Sequence, residues 1–163
     1  AGMVVVQHMP AGFTKSLAMR LNEISKVKVK EAEDGDIVEK GTVYIAPGGR
    51  HMRLTRAGST AKVVLSDEPP VDALRPCANV MYESLKDSPY DEIVCVVLTG
   101  MGADGTKGIK LLKEKKKLHV ISQDEASSIV YGMPRSVAEA GLTDEVKPLE
   151  EIADAITRNT GVR

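Results

Sequence analysis

The chain has 163 residues, enough for one domain with a sizeable core and too few for two. Its 22 basic and 23 acidic residues give a net charge of −1, which argues against nucleic acid or a membrane surface as a partner. Two cysteines are too few for a disulfide framework, and no signal peptide or apolar run long enough to span a membrane is visible. We therefore expect a cytoplasmic protein with no membrane insertion.

The first part of the chain alternates strand and helix patterns. Residues 3–7 form an apolar run that predicts a buried strand, and His8 lies in the turn after it. Apolar residues then recur at spacings of three and four over 13–24, which is typical of an amphipathic helix. Alternating valines predict a half-buried strand at 27–32, and a further strand is expected at 42–46.

The middle of the chain predicts a different arrangement of strands. Residues 51–56 and 61–66 read as strands with a short turn between them, and short connections imply antiparallel pairing. We expect a small antiparallel meander attached to the parallel sheet. A helix should follow at about 71–86, and Pro76 should either start it or kink it, because proline lacks an amide hydrogen.

The apolar run at 94–98 predicts a strand that is buried on both faces, at the centre of a parallel sheet. A glycine-rich turn and a helix at 106–117 follow it. The remaining predicted elements are a strand at 119–123, a loop at 124–131, a short helix from Gly132, an edge strand at 144–147 and a closing helix from Leu149. Together these patterns favour an α/β fold with a doubly wound, mostly parallel sheet and a small antiparallel meander.

Two polar residues occupy the same kind of position in the predicted fold. His8 and Asp104 each follow a predicted buried strand, and the carboxyl ends of parallel strands are where catalytic groups gather. An aspartate that accepts from one imidazole nitrogen leaves the other nitrogen able to take a proton from a nucleophile. The alternatives are that His8 packs in its own turn and that Asp104 caps its own helix. His51 reads as a surface turn residue, and His119 is given no role.

A nucleophile and a metal site are both hard to find in the sequence. The Gly-x-Ser-x-Gly elbow is absent. Ser59 lies in a hairpin turn, Ser127 and Ser128 lie in a loop without glycine support, and the other serines lie on helices or at strand ends. Cys95 should be buried and inert in its strand, and Cys77 lies on or near a helix, with no reason for a lowered pKa. No group of histidines, cysteines and acids has the spacing of metal ligands.

Five short motifs in order resemble one family over nearly the whole chain. These are QHMP at 7–10, APGGRH at 46–51, Arg75-Pro76, LTGMGADG at 98–105 and GMPR at 132–135. They are similar to the catalytic domain of the chemotaxis protein-glutamate methylesterases, the CheB family. The first and the fourth motif are the most specific.

The resemblance implies a mechanism and partners. Members hydrolyse glutamyl methyl esters on methyl-accepting chemoreceptors, and deamidate glutamines there, with a Ser–His–Asp triad and neither cofactor nor metal. His8 matches the histidine, Asp104 matches the aspartate, and the backbone N–H of Met101 matches a contributor to the oxyanion hole. The partners implied are the helical cytoplasmic region of the receptors and, in the full-length protein, an N-terminal receiver domain.

The sequence departs from the family in two places. The family serine lies in a Ser-Thr-Gly-Gly-type turn upstream of the histidine strand, so we expect residues 1–163 to be an N-terminally incomplete catalytic domain. Without that nucleophile the chain as printed should be inactive, and we expect no receiver domain within these residues. Cys77 and Asn79 stand where the family commonly has serine and aspartate, which leaves the substrate-binding residues unassigned.

Two other functions remain open at this point. The first is a non-catalytic module that only docks on receptors, which an upstream nucleophile would argue against. The second is a nucleotide-binding α/β domain that uses residues 100–102 as a phosphate loop. The Gly-x-Gly-x-x-Gly pattern and an evident ribose-binding acid are absent, which disfavours that reading.

Overall fold

The structure is a computed structural model that describes residues 1–161. The strands are β1 (Met3–Val5), β2 (Lys28–Glu31), β3 (Thr42–Ile45), β4 (His51–Ala57), β5 (Thr60–Ser66), β6 (Glu92–Val97), β7 (Lys117–Gln123) and β8 (Glu145–Lys147). The helices are α1 (Phe13–Ile24), α2 (Ala78–Ser84), α3 (Thr106–Lys113), α4 (Gly132–Glu139) and α5 (Leu149–Thr160). The chain divides into two compact units, an N-terminal unit over Ala1–Pro89 and a C-terminal unit from Tyr90 onward.

The N-terminal unit is built on a parallel sheet in the order β1-β3-β2. Helix α1 packs against it, and Ala18, Val29 and Ile45 form the core between them. The expected strand at 3–7 is shorter and is not buried, because β1 lies at the edge of this sheet and Met3 is 39% exposed. The predicted helix is confirmed, although its first and last residues, Phe13 and Ile24, are exposed.

The antiparallel part of this unit contains only β4 and β5. Strand β3, which leads into it along the chain, pairs in parallel with β1 and β2, so the meander is a single hairpin. The following helix, α2, begins at Ala78 rather than near residue 71, which is the first of the two outcomes expected from Pro76. It packs on β4 and ends in a 3₁₀ turn at Leu85–Asp87.

The C-terminal unit contains a second parallel sheet, in the order β6-β7-β8. The strand at 94–98 was expected at the centre of a sheet, but β6 lies at the edge of this one and β7 lies at the centre. Accordingly Val120 and Ile121 of β7 are fully buried, whereas Val94 and Val96 of β6 are half-buried. Both strands pack against α5, with Ile121 in the shared core.

The class predicted from the sequence is confirmed: the fold is α/β, with mostly parallel strands and one small antiparallel pair. Within residues 1–161 the parallel strands are divided between two sheets of three. Over the same range, every helix is too short or too polar to cross a membrane.

Candidate active site

His8 lies in the turn that follows β1, with its side chain half-buried. This turn packs tightly against the turn after β3, because a Cβ atom on Gly48 would lie 2.4 Å from the carbonyl of Pro10. The Gly48 N–H donates to the Thr14 hydroxyl at 2.9 Å, which in turn donates to the Glu31 carboxylate at 2.6 Å. Glycine at position 48 is therefore required for the two turns to meet, and the position of the main chain next to His8 is fixed by packing.

A pocket of about 290 Å³ opens beside His8 within the N-terminal unit. It is lined by His8, Met9, Pro10, Ala73, Leu74, Arg75 and Pro76. The sequence singled out Arg75-Pro76 only by resemblance, since no periodic pattern links it to His8. The structure thus gives His8 a neighbouring cavity, as a base that acts on a substrate requires.

Asp104 lies between β6 and α3 in the C-terminal unit, with 5% of its surface exposed. Glycines flank it at positions 102 and 105, with φ of 92° and 105°. Side chains other than glycine rarely adopt such backbone angles, so these glycines let the chain turn sharply on both sides of the carboxylate. As predicted, Asp104 stands where a parallel strand gives way to a helix.

Among the described residues, the turn before Asp104 has backbone amides without hydrogen-bond partners. Met101 is 84% exposed, and within residues 1–161 the N–H groups of Met101, Gly102 and Ala103 make no hydrogen bond. Successive unbonded N–H groups in a turn form a concave site for an oxyanion. The geometry around Met101 therefore suits the role that the resemblance implies for its amide.

A buried glutamine that the sequence analysis missed holds this turn in place. Gln123, at the end of β7, is 1% exposed, and its Oε1 accepts a hydrogen bond from Thr99 N–H at 2.8 Å. Its Nε2 donates to Ser127 O at 2.9 Å, in the 124–131 loop. Gln123 thus connects the 99–105 loop with the 124–131 loop. The one feature of the sequence that could have indicated this role is a polar residue at the end of an apolar strand.

Further bonds run directly between these two loops. Val130 accepts hydrogen bonds from Gly100 N–H at 2.9 Å and from the Thr99 hydroxyl at 3.0 Å, and its own N–H donates to that hydroxyl at 2.9 Å. The Met133 N–H donates to Gly100 O at 2.8 Å. The 99–105 loop is therefore held by main-chain bonds as well as by Gln123.

Close packing explains the GMPR motif. A Cβ atom on Gly132 would lie 3.0 Å from Gly100 O and from Gly102 N, and one on Gly100 would lie 2.4 Å from the Met133 sulfur. The two glycine-containing motifs at 100–102 and 132–133 are therefore packed directly on each other. Neither could accept a larger side chain without moving its partner.

The candidate nucleophiles in the C-terminal unit are engaged or buried. The Ser127 and Ser128 hydroxyls both donate to Asp124, each at 2.6 Å, and Ser122 is 1% exposed. Cys95 is also 1% exposed, as is Cys77 in the N-terminal unit. Burial raises the pKa of the Cys95 thiol to about 12, so this residue is inert, as predicted.

The other two histidines differ in their surroundings. His51 was expected in a surface turn, but it lies in β4 with 0% exposure, and its Nε2 bonds to Pro69 O at 3.0 Å. That prediction is wrong because His51 is an inward-facing strand residue whose Nε2 is paired with a backbone carbonyl, although its buried Nδ1 has no partner among the described residues. His119, given no role from the sequence, pairs with Glu145 at 2.5 Å. This hydrogen bond holds the pKa of Glu145 below its ordinary range.

The proximity of His8 and Asp104 stays a prediction. Each lies at the carboxyl end of a parallel strand, in its own unit. Among residues 1–161, no three side chains of histidine, cysteine, aspartate or glutamate are grouped to hold a metal ion. The described residues provide side-chain bases and acids together with backbone amides, which are the groups that acyl transfer uses.

Comparison with known proteins points to one family. The family profile described as CheB methylesterase matches residues 1–156. Protein-glutamate methylesterase/protein-glutamine glutaminases are 44% identical in Geobacillus kaustophilus and 48% identical in Symbiobacterium thermophilum, each over 161 residues and 99% of this chain. The chain covers 46% of the first relative and 43% of the second, so it spans less than half the length of either.

A solved structure gives the same result. The crystal structure of the Thermotoga maritima CheB methylesterase catalytic domain superposes with a TM-score of 0.88 at 40% identity. The match covers 97% of this chain and 83% of that one.

Proposed function

Because the chain belongs to the CheB methylesterase family, we propose that it carries the base, the acid and the oxyanion-binding amide of a protein-glutamate methylesterase. The observation that carries this proposal is the turn after β6. It combines an exposed Met101, whose N–H makes no hydrogen bond among the described residues, with a buried Asp104 three residues later. The relatives that match along nearly the whole chain are named for this activity.

In the proposed reaction, a serine hydroxyl attacks the γ-carbonyl carbon of a glutamyl methyl ester. His8 takes the hydroxyl proton, and Asp104 accepts a hydrogen bond from the other ring nitrogen and stabilises the imidazolium. The Met101 N–H binds the oxyanion that forms. His8 then gives its proton to the leaving methoxide, which departs as methanol, and a water molecule hydrolyses the acyl-enzyme by the same route. With a glutamine substrate, ammonia leaves instead.

We place the nucleophilic serine outside residues 1–163. The engaged hydroxyls of Ser127 and Ser128 and the burial of both cysteines support this assignment. So does the family pattern, in which the serine turn precedes the histidine strand. The printed chain alone should therefore release no methanol from methylated receptor above background. Release that depends on His8 would place a nucleophile inside the chain and overturn the assignment.

The proposed partners follow from the family. The substrate is the helical cytoplasmic region of methyl-accepting chemoreceptors, and the enzyme acts in the cytoplasm. In the longer protein an N-terminal receiver domain controls the catalytic domain. The reaction uses no cofactor and no metal, because the hydroxyl, imidazole, carboxylate and amide groups suffice for ester hydrolysis.

The test is methanol release from methylated receptor by the complete polypeptide that contains these residues. His8→Ala and Asp104→Asn should each lower turnover by about 10³-fold or more, while thermal unfolding stays close to that of the wild type. His119→Gln and Asp154→Asn serve as matched controls and should retain activity. Unchanged turnover in either of the first two variants would remove that residue from the mechanism. Receptor binding without any methanol release would favour a docking module instead.

The same proposal makes a geometric prediction. A carboxylate oxygen of Asp104 should lie within roughly 3.2 Å of a His8 ring nitrogen, with the other nitrogen facing the substrate cleft. A crystal structure of the complete polypeptide would measure this distance. A separation too long for one bridging water would contradict the pairing.

A further inference from the structure

The pocket beside His8 has an unusual charge balance. Arg75 carries a positive charge, His8 contributes a hydrogen-bonding imidazole, and no carboxylate lines the pocket. The remaining lining residues are apolar or contribute backbone. A cavity with this lining favours a ligand that carries negative charge or strong acceptor oxygens.

Arg75 is held in place from both ends. Its Nη1 donates to two main-chain carbonyls, Asp67 O at 3.1 Å and Glu68 O at 3.2 Å. Its own carbonyl accepts a hydrogen bond from Gly49 N–H at 3.2 Å. The guanidinium group therefore has little freedom to move, so the Arg75 side chain loses little conformational entropy when a ligand binds it.

One donor of this fixed group is unsatisfied. The Nε atom of Arg75 is buried and has no hydrogen-bond partner among the described residues. A buried N–H group without a partner is costly, and such groups in a folded protein call for an explanation. Nε is shielded from solvent, whereas Nη2 makes no hydrogen bond among the described residues and is not fully buried, so Nη2 is the donor that a ligand oxygen can reach.

The backbone next to Arg75 is strained at the same place. Asp72 and Ala73 have φ of 51° and 63°, in the left-handed region that residues other than glycine rarely adopt. Reciprocal hydrogen bonds between Val71 and Leu74, at 3.0 and 2.9 Å, close this turn. Ala73 and Leu74 also line the pocket. Strain of this kind is typically kept where it positions a binding surface.

We propose that this pocket binds an acidic side chain of the substrate protein, and that Arg75 is the residue that recognises it. The inference rests on the proposed function, which places the reacting glutamyl ester at His8. Because Arg75 lines the same cavity as His8, the recognised carboxylate lies within about one helical turn of the ester. Arg75 is thus a specificity-determining residue that does not touch the reacting atoms.

The test is equilibrium binding of two synthetic helical peptides to the complete polypeptide. Each carries one glutamate γ-methyl ester, flanked within one turn either by glutamates or by glutamines at the same positions. The wild type should bind the glutamate peptide about tenfold more tightly, as expected for a charge-assisted hydrogen bond. Arg75→Gln should remove this preference and leave the affinity for the glutamine peptide unchanged. An equal preference in the wild type and in Arg75→Gln, or no preference in the wild type, would overturn the proposal.

Arg50→Gln is the matched control. Arg50 bonds to Asp67 through its Nε at 3.0 Å, yet it does not line the pocket, so this variant should keep the preference. If Arg75→Gln fails to fold, Arg75→Lys decides the question. It keeps the charge but lacks the planar guanidinium with its Nη2 donor, so it should reduce the preference at least threefold, and an unchanged preference would contradict the proposal.

These measurements distinguish a failure of the pocket assignment from a failure of the proposed function. A protein that discriminates between the peptides through Arg75 but releases no methanol would contradict the proposed function and leave the pocket assignment in place. A protein that hydrolyses both esters without discrimination would do the reverse.

Discussion

The side-chain oxygen of Gln123 accepts the amide hydrogen of Thr99 at 2.8 Å and so joins the end of β7 to the turn that follows β6. Gln123 is 1% exposed, and its amide nitrogen is also engaged, by Ser127 O. A buried side chain with both ends bonded holds its partners in one geometry. The turn it holds is the one that presents the Met101 amide.

Replacing Gln123 by leucine should therefore impair turnover more than binding. The side chain keeps its approximate volume, but the Thr99 N–H loses its acceptor and the turn is no longer fixed. We expect kcat to fall about tenfold with KM nearly unchanged, because the oxyanion donor is needed mainly in the transition state.

Ser128→Ala provides the control for that experiment. The Ser128 hydroxyl bonds to Asp124 O in the same loop and, among the described residues, makes no hydrogen bond with the 99–105 turn, so kcat should stay within about twofold. Steady-state kinetics on methylated receptor measure both variants. A rise in KM alone in Gln123→Leu would show that the residue acts on substrate binding instead.

Gly48→Ala should destabilise the fold for a steric reason. Its Cβ would lie 2.4 Å from the Pro10 carbonyl, and both groups are main chain or fixed to it. We expect a loss of about 2 kcal/mol, visible as a lower Tm and a lower denaturant midpoint. Gly35→Ala is the control that distinguishes backbone strain from steric overlap. A Cβ atom at position 35 would meet nothing within 4 Å, whereas the φ of Gly35 is 89°. The loss at Gly35 should be smaller, and an equal or larger one would argue against the steric explanation.

The Glu145 cluster should make stability depend on acid pH. His119 first, and then Asn159, hydrogen-bond to the Glu145 carboxylate and hold its pKa below the ordinary value of 4.5. A carboxyl with a depressed pKa stabilises the fold above its unfolded pKa, and this contribution is lost as the pH falls through the folded pKa.

Glu145→Gln should accordingly cost about 1 kcal/mol at neutral pH. The difference between wild type and variant should shrink as the pH falls below about 4.5. Chemical denaturation across this pH range measures it. Glu139→Gln, in an exposed pair with Arg135, should change stability by less than about 0.5 kcal/mol. A pH-independent difference would indicate that packing, rather than the charge, explains the loss in Glu145→Gln.

Both thiols should be unreactive in the native protein. Burial raises the pKa of Cys95 to about 12, and Cys77 is 1% exposed. Titration with a thiol-reactive dye at mildly alkaline pH should detect neither cysteine until denaturant is added, after which both should react. Rapid labelling of one thiol in the folded protein would mean that its surroundings open.

The sequence predicted those features that leave a local or periodic signature. The β4–β5 hairpin, α5 and the positions of His8 and Asp104 at strand ends all follow from runs and spacings. The position of β6 within its sheet did not follow from the sequence. A run of valines indicates that a strand is buried, but it does not indicate which strands lie beside it. Its half-buried side chains show that an apolar run need not lie at the centre of a sheet.

The polar contacts of the site were beyond local sequence patterns. Gln123 meets Thr99 across 24 positions, and His51 meets Pro69 O across 18. Isolated polar residues carry no periodicity that could reveal such partners, so a buried histidine was taken for one on the surface. The resemblance brought in Met101 and Arg75-Pro76, but the anchoring of Arg75 and its unsatisfied Nε became visible only in three dimensions.

The use of main-chain atoms at Val130 has an evolutionary consequence. The bonds that hold the 99–105 loop run to the N–H and carbonyl of residue 130, so they do not constrain the neighbouring side chain. Ile129 is 93% exposed and can change identity without disturbing the loop. Position 129 is therefore free to change in evolution while the hydrogen bonds that hold the turn stay the same.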